Sequence, residues 1–242
     1  MQIKSLLLTL LACVITLHAD AQIFKKVIGN DKYETRSYKV NDFSKVTISH
    51  PLNVVYKANP DSAGYISIYG ESNILDLISL KSEKGNLSIK LNGMRTPEFG
   101  VILIRMYSSQ LNNVVNEGGS SFEILSPIND SEIKLSVIGT GQIKAGQIDC
   151  GLLNVNISGG GDILVKGTAG MGDYSVTGKG EIRANDVVAN EANATITGSG
   201  TIRCNATKSL KTFLTGNGKI IYSGQPELKT RTIGTGQVVP AE

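Results

Sequence analysis

Asp162 and Glu181 are the residues of this 242-residue chain whose types and placement come nearest to hydrolytic chemistry. Each stands three residues after the first glycine of a Gly-x-Gly pair, so a repeating fold would put them in one outward column, one layer apart. A glycosidase needs two carboxylates about 5–10 Å apart across the scissile bond, one as acid and one as base or nucleophile. The column argues against that use. Its other members are Gln142, Thr201 and Lys219, an ordinary mixed polar surface, and it holds no tyrosine or tryptophan to stack a sugar ring. Lyase chemistry would require several acids around a calcium ion and a base for proton abstraction, and no such acidic cluster exists. Apart from His18, the only histidine is His50, which precedes Pro51 at a break between strands and reads as a corner residue. Gly159-Gly160-Gly161-Asp162 has the look of a calcium-binding nonapeptide roll, but it occurs once, in a repeat far longer than nine residues. Cys150, Cys204 and His50 lack zinc-ligand spacing. The reading therefore assigns no catalytic residue, no metal and no cofactor, and leaves the binding residues unknown.

The elements that would carry these side chains announce themselves by period. Gly-x-Gly recurs at Gly139/Gly141, Gly159/Gly161, Gly178/Gly180, Gly198/Gly200, Gly216/Gly218 and Gly234/Gly236, every 18–20 residues, after a degenerate Gly118-Gly119-Ser120. Four residues after each first glycine stand Ile143, Ile163, Ile182, Ile202, Ile220 and Val238, with Phe122 in the degenerate copy. Two before it stand Val137, Ile157, Val176, Ile196 and Leu214. The positions between are mostly polar, so the alternation is that of strands with one face inward. Equivalent residues must stack as columns, and glycine must take the corner where the chain reverses. A second, looser corner is expected near Asp149–Leu152, Thr168–Gly172 and Ala189–Ala192, with two strands of about six or seven residues per coil. The expected fold is all-β: a right-handed parallel β-helix-like solenoid, flattened, with two main sheets. Composition agrees, since tryptophan is absent, aromatics are 5% and glycine numbers 27. Many thin layers of small aliphatic residues replace an aromatic core.

The first half is less regular. Residues 22–41 are polar and read as an extended arm or linker, and residues 42–116 as an irregular β part of the solenoid ahead of the repeats at 117–242. Phe43, Val46 and Ile48, then Leu52, Val54 and Tyr56, then Tyr65, Ile66, Ile68 and Tyr69 mark strands. Asn73–Leu80 allows a short helix, and Glu83-Lys84-Gly85-Asn86 leads as a hairpin or corner into Leu87, Ile89 and Leu91. Gly93–Gly100, with Pro97, reads as a loop. Val101-Ile102-Leu103-Ile104 reads as a strand covered on both faces. Cys150 and Cys204 lie three repeats apart, about 14 Å in layer spacing, too far for a disulfide, and read as free buried thiols.

Residues 1–21 have the form of a secretion signal: Lys4, an apolar run from Leu6 to Leu17, and Ala19-Asp20-Ala21 ahead of Gln22. Lipid attachment at Cys13 is the weaker alternative, because cleavage there would cut the apolar run in half. That run is too short to span a bilayer, and no later segment is long and apolar enough to do so. The net charge of +3 comes from scattered residues, with Lys25-Lys26 the only adjacent basic pair, so nucleic-acid binding is not expected.

Asp42-Phe43-Ser44-Lys45-Val46, Leu52-Asn53-Val54, Tyr69-Gly70-Glu71-Ser72-Asn73-Ile74-Leu75-Asp76 and Gly85-Asn86-Leu87-Ser88-Ile89-Lys90, followed by the Gly-x-Gly repeats, resemble the head GIN-domain family. These are autotransporter-adhesin-like β-solenoid proteins of the Bacteroidetes, and the resemblance runs from about Asp42 to Gln237. It implies a pectin-lyase-like β-helix without that fold's catalytic residues and a role in adhesion at the cell surface. The expected function is thus an exported, non-enzymatic binding or adhesion module of the periplasm, outer-membrane surface or exterior. Its partners would be glycans, proteins of the envelope or of a host surface, or copies of itself meeting at the solenoid ends. The alternatives are a carbohydrate-active enzyme of the pectin-lyase-like type and a structural or stress-related envelope protein.

Overall fold

The computed structural model describes residues 27–93 and 98–241. The expected leader, Cys13 within it, and Pro97 lie outside those residues. The chain runs through β1 (Tyr33–Lys39), β2 (Lys45–Ser49), β3 (Asn53–Ala58), β4 (Tyr65–Glu71), the one-turn helix α1 (Ser72–Leu75), β5 (Ile78–Glu83), β6 (Asn86–Leu91), β7 (Leu103–Ser108), β8 (Asn113–Gly118) and β9 (Ser121–Ile124). It continues through β10 (Ile128–Gly139), β11 (Gln142–Gly159), β12 (Asp162–Gly178), β13 (Glu181–Gly198), β14 (Thr201–Gly216), β15 (Lys219–Ser223), β16 (Glu227–Gly234) and β17 (Gln237–Pro240). The result is a nearly all-β solenoid of about six turns with a curled sheet.

The columns read from the sequence are the register of the structure. Ile143, Ile163, Ile182, Ile202, Ile220 and Val238 are successive parallel partners. The five isoleucines are fully buried, and each contributes about 1.5–3 kcal/mol relative to exposure. Hydrogen bonding does not stop at the second corner. β11 to β14 run unbroken for 16–18 residues instead of dividing into two short strands per coil. The inward alternation slips at exposed pairs such as Gly146-Gln147 and Asp186 with its neighbour Asn185, where the pairing register shifts. A bulge leaves a residue or two unpaired while the strand bends, and the ladder resumes beyond it.

The tight corner explains the glycines. Gly178 has φ +117°, and a Cβ there would lie 2.5 Å from the Gly159 carbonyl oxygen. A Cβ on Gly180 would lie 2.5 Å from a methyl of Ile157 and 2.6 Å from the Gly161 oxygen. The first glycine is required by its dihedral and by the coil below, the second by the aliphatic column beneath the corner.

The irregular half continues the same columns in a different chain order. β2 lies between β6 and β8, and β3 between β7 and β9, all parallel. The coil made by β2 and β3 is therefore the second layer. The chain leaves it, builds the first layer from β6 and β7, then crosses to the third with β8 and β9. The isoleucine column extends back through Phe122 and Val54 to Ile104. Two antiparallel pairs close this end: β5 on β6, the hairpin form of the expected turn, and β4 on β7 with β1 on β4. Residues 33–39, expected within the polar arm, thus join the sheet. Val101–Ile104 is not covered on both faces. Val101 is exposed and Leu103 half-buried, while Ile102 and Ile104 face the core, so the apolar run alternates after all. At the other end β17 pairs only with β15 and β16 only with β14, and β16 is exposed along its length.

Candidate functional site

The residues singled out for chemistry fall into structural roles. Asp162 and Glu181 are direct partners on neighbouring coils, as their column requires. The Glu181 carboxylate is engaged, however: Arg203 Nε donates to its Oε1 at 2.9 Å and Arg183 Nε lies 3.9 Å from its Oε2. A carboxylate already occupied by guanidinium groups is not free to face a substrate. His50 stands at a corner. β2 and β8 pair Ser49 with Glu117, which puts His50 beside Gly118, at the head of the glycine column. Its φ is +91° and that of Gly118 is +100°. His50 Nδ1 lies 2.6 Å from the Ser49 carbonyl oxygen and 3.3 Å from the Leu91 amide, and the Ser120 hydroxyl donates to its carbonyl. Cys150 and Cys204 are free and buried, and burial pushes their thiols up to about 11 and about 12. Such thiols are poor nucleophiles at neutral pH. Among the described residues no group of three His, Cys, Asp or Glu side chains could hold a metal ion.

The surface with functional character lies elsewhere, on the antiparallel end. In β4, Ile66 and Ile68 point into the core, so Tyr65, Ser67 and Tyr69 point out. Register places Thr35 and Leu103 beside Tyr69, Ser37 and Arg105 beside Ser67, and Lys39 beside Tyr65. Tyr33 stacks on Tyr69 with ring centroids 5.5 Å apart, and Tyr65 meets Tyr107 at 6.3 Å. Half of the chain's eight tyrosines thus share one face. Tyr33, Tyr65 and Tyr69 are 44%, 39% and 42% exposed, in a molecule whose other aromatic side chains mostly fill the core. Tyrosine exposed in an array marks an interaction surface, because the ring contributes contact area at low entropy cost and the hydroxyl keeps a hydrogen bond. The Ser37 and Tyr65 hydroxyls already hydrogen-bond at 2.7 Å. The other tyrosines differ: Tyr174 is inside the core, and Tyr222 is half-buried near the last coil.

A buried carboxylate fixes this face. Glu71, 3% exposed, follows β4's outward row into the protein. Its Oε1 accepts from the Asp31 amide at 2.9 Å and its Oε2 from the Gly100 amide at 2.7 Å. Two backbone donors replace the water that burial removed. The neighbouring residues latch the same segment. The Asn73 side chain donates to the Ile28 carbonyl at 2.8 Å, the Ser72 amide to the Lys32 carbonyl at 2.8 Å, and Asn30 to the Ser72 hydroxyl at 2.9 Å. Arg36 closes the underside, donating to Glu34, Asp76 and the Ser72 carbonyl. Tyr33 is held over Gly100, where a Cβ would collide with its hydroxyl. Its phenol is raised above the ordinary value, first by desolvation and next by the Glu71 charge. The Gly70-Glu71-Ser72-Asn73 segment is therefore the latch of the tyrosine face. Sequence reasoning noticed the segment but not its role. The available signal was the period-2 row Tyr65, Ser67, Tyr69 alternating with Ile66 and Ile68.

The outward charges of the strands have one sign, while Asp31 stands at the edge near Tyr33. Lys39, Lys57 and Arg105 project from β1, β3 and β7, and no outward position of β1, β3, β4 or β7 carries an exposed carboxylate. Arg105 and Lys57 make no hydrogen bond or ion pair with any described residue. The Lys39 ammonium donates to the Ala63 carbonyl at 2.5 Å.

Residues 42–226 match the family described as "Putative auto-transporter adhesin, head GIN domain". No curated protein matches the chain. Among solved structures, a "putative adhesin" of Bacteroides fragilis shares 27% identity at a TM-score of 0.81, over 89% of this chain and 100% of that one. A "putative adhesin" of Parabacteroides merdae shares 24% at 0.75, over 90% and 99%, and so speaks for the fold alone. A "putative lipid binding protein" of Parabacteroides distasonis shares 26% at 0.75, over 90% and 100%. No described helix is long and apolar enough to cross a membrane.

Proposed function

This chain belongs to the auto-transporter adhesin head GIN-domain family, and from that premise we propose that it is an exported, non-enzymatic adhesion module that presents its tyrosine face at the bacterial cell envelope. The observation that carries this reading is the array of Tyr33, Tyr65, Tyr69 and Tyr107 around the unpaired Arg105, held on a rigid stack of strands. Tyrosine and arginine are the residues on which binding energy concentrates at interfaces. The face is pre-organised by the Glu71 latch, so binding would cost little ordering of the protein. Export is supported by the leader-like sequence of residues 1–21. The non-enzymatic reading is supported by the ion-paired state of Glu181, which leaves Asp162 without a free acidic partner in its column.

The test is binding of the purified protein to immobilised whole cells. Tyr65→Ser combined with Tyr69→Ser should remove most of the bound protein, while Asn193→Ala on the outer surface of the coils should leave it unchanged, with equal melting temperatures throughout. Undiminished binding by the double variant would move the site off this face. Turnover of a polysaccharide, abolished by Asp162→Asn, would replace adhesion with catalysis.

A further inference from the structure

The tyrosine face is the outward side of paired strands, and the backbone groups of β4 and β7 are already bonded on both sides. What it does offer is aromatic rings, hydroxyls and positive charge. We propose that this face binds an acidic oligosaccharide, with pyranose rings against the two tyrosine pairs and an anionic substituent on Arg105; the proposal rests on the adhesion reading above.

Three features carry it. The first is spacing. Tyr65 and Tyr69 are four residues apart on one strand, about 13 Å, so the aromatic pairs flank a polar centre wide enough for an oligosaccharide rather than a single sugar. The second is the centre itself. Ser67 lies between the pairs, with Ser37 on one side and Arg105 on the other. Hydroxyls that donate and accept suit a polyhydroxyl ligand. The third is charge complementarity. Arg105 carries an unpaired planar fork of donors, the geometry that grips a carboxylate or a sulfate through two parallel bonds. Lys39 and Lys57 lie at the Tyr65–Tyr107 end, and Glu123, the outward acid of β9, is separated from Arg105 by β3. Carboxylated and sulfated sugars share this chemistry, and titration separates them.

The experiment is isothermal titration of the purified protein with oligogalacturonate, a heparin-type sulfated oligosaccharide, a neutral glucan oligomer of the same length, and a short polyglutamate peptide. Binding to one or both acidic glycans is expected, and the stronger identifies the anion. Arg105→Gln should weaken it about tenfold or more, and Tyr69→Ser should weaken it by a similar factor. Arg105→Lys should recover only part, because the ammonium keeps the charge but not the fork. Equal binding of the neutral glucan would overturn the anionic claim. Equal binding of polyglutamate, or a loss confined to Arg105→Gln with Tyr69→Ser unaffected, would reduce the site to a charged patch suited to acidic protein. Should no oligosaccharide bind while the tyrosine variants still lose whole-cell binding, the glycan inference falls and the adhesion reading stands. If the parent binds neither cells nor glycans, both fall.

Discussion

From β10 onward each coil copies the one before it. Before β10 only the degenerate Gly118-Gly119-Ser120 copy recurs in the sequence, yet the same inward columns pass through both halves, from Ile104 through Val54 and Phe122 to Ile143 and beyond. The difference lies in how the corner is turned. In the coils, a glycine with positive φ sits directly on the glycine below. In the first layers the corner is held by His50, Pro51 and Leu91, and the buried Asn116 bridges the join. Its side-chain amide donates to the Ser120 carbonyl at 2.8 Å and to the Gln142 carbonyl at 3.0 Å. The two halves store their specificity in different places. The coils store it in glycine, because close stacking leaves no room for a Cβ. The closing end stores it in side-chain hydrogen bonds, which free its outer face to carry tyrosines. The outer face of the coils is plainer, with columns such as Ser158, Thr177, Thr197 and Thr215.

The largest effect should separate the two kinds of corner. Gly178→Ala must place a methyl 2.5 Å from a carbonyl oxygen at φ +117°. Its stability loss should be about 3 kcal/mol or more, read from the denaturant midpoint. Gly118→Ala meets nothing closer than 3.6 Å at φ +100° and should cost only its dihedral, about 1–2 kcal/mol. Equal losses would mean that crowding by the coil below is not what distinguishes the corners.

The closing end should break at Glu71. Glu71→Ala takes the acceptor from the part-buried Asp31 and Gly100 amides, a loss of about 1–2 kcal/mol. Hydrogen exchange should rise at those two amides and along β1 while β11 to β14 stay protected, since repeat folds open locally. Uniform exchange along the chain would show the two halves unfolding as one. The same contrast explains what was legible in the sequence. Periodic glycines and isoleucines declare a register because each column repeats one physical requirement. Glu71 occurs once, and its partners are backbone amides 40 and 29 residues away, which leave no side-chain signature. Chain order in the first layers was equally hidden, since β6 and β2 satisfy the same alternation wherever they stack. The tyrosine face was half legible. The alternation in Tyr65–Tyr69 shows which side each residue takes, but only the antiparallel partners β1 and β7 show that the tyrosines meet.

His50 tests whether the irregular corner is a glycine corner in disguise. It occupies the glycine column with φ +91°, a strained value for a residue with a Cβ. His50→Gly should raise stability by up to about 1 kcal/mol, the relief of strain exceeding the added chain entropy of glycine. A fall in the midpoint would show that the ring's contact with the Leu91 amide outweighs the strain, and the first corner would then differ from the others in kind.

The smallest effect lies where the coils depart from their own rule. Tyr174 is fully buried in a column whose neighbours are Val155 and Ala194, and its hydroxyl has no hydrogen-bond partner among the described residues. Tyr174→Phe keeps the ring and removes the unpaired group, so stability at neutral pH should rise by up to about 1 kcal/mol. The alkaline limb gives a second readout. Burial raises Tyr174, Cys150 and Cys204 above their ordinary values, so the folded chain holds these protons after the unfolded chain has released them. Stability therefore falls as pH rises through 9.0 for the thiols and 10.0 for the phenol. For the thiols the decline continues to about 11 at Cys150 and about 12 at Cys204. Tyr174→Phe should make the decline shallower above pH 10 and leave the thiol portion between 9 and 10 unchanged. An unaltered slope would mean that the hydroxyl reaches solvent in the folded chain, and the coil core would then be less dry than its columns imply.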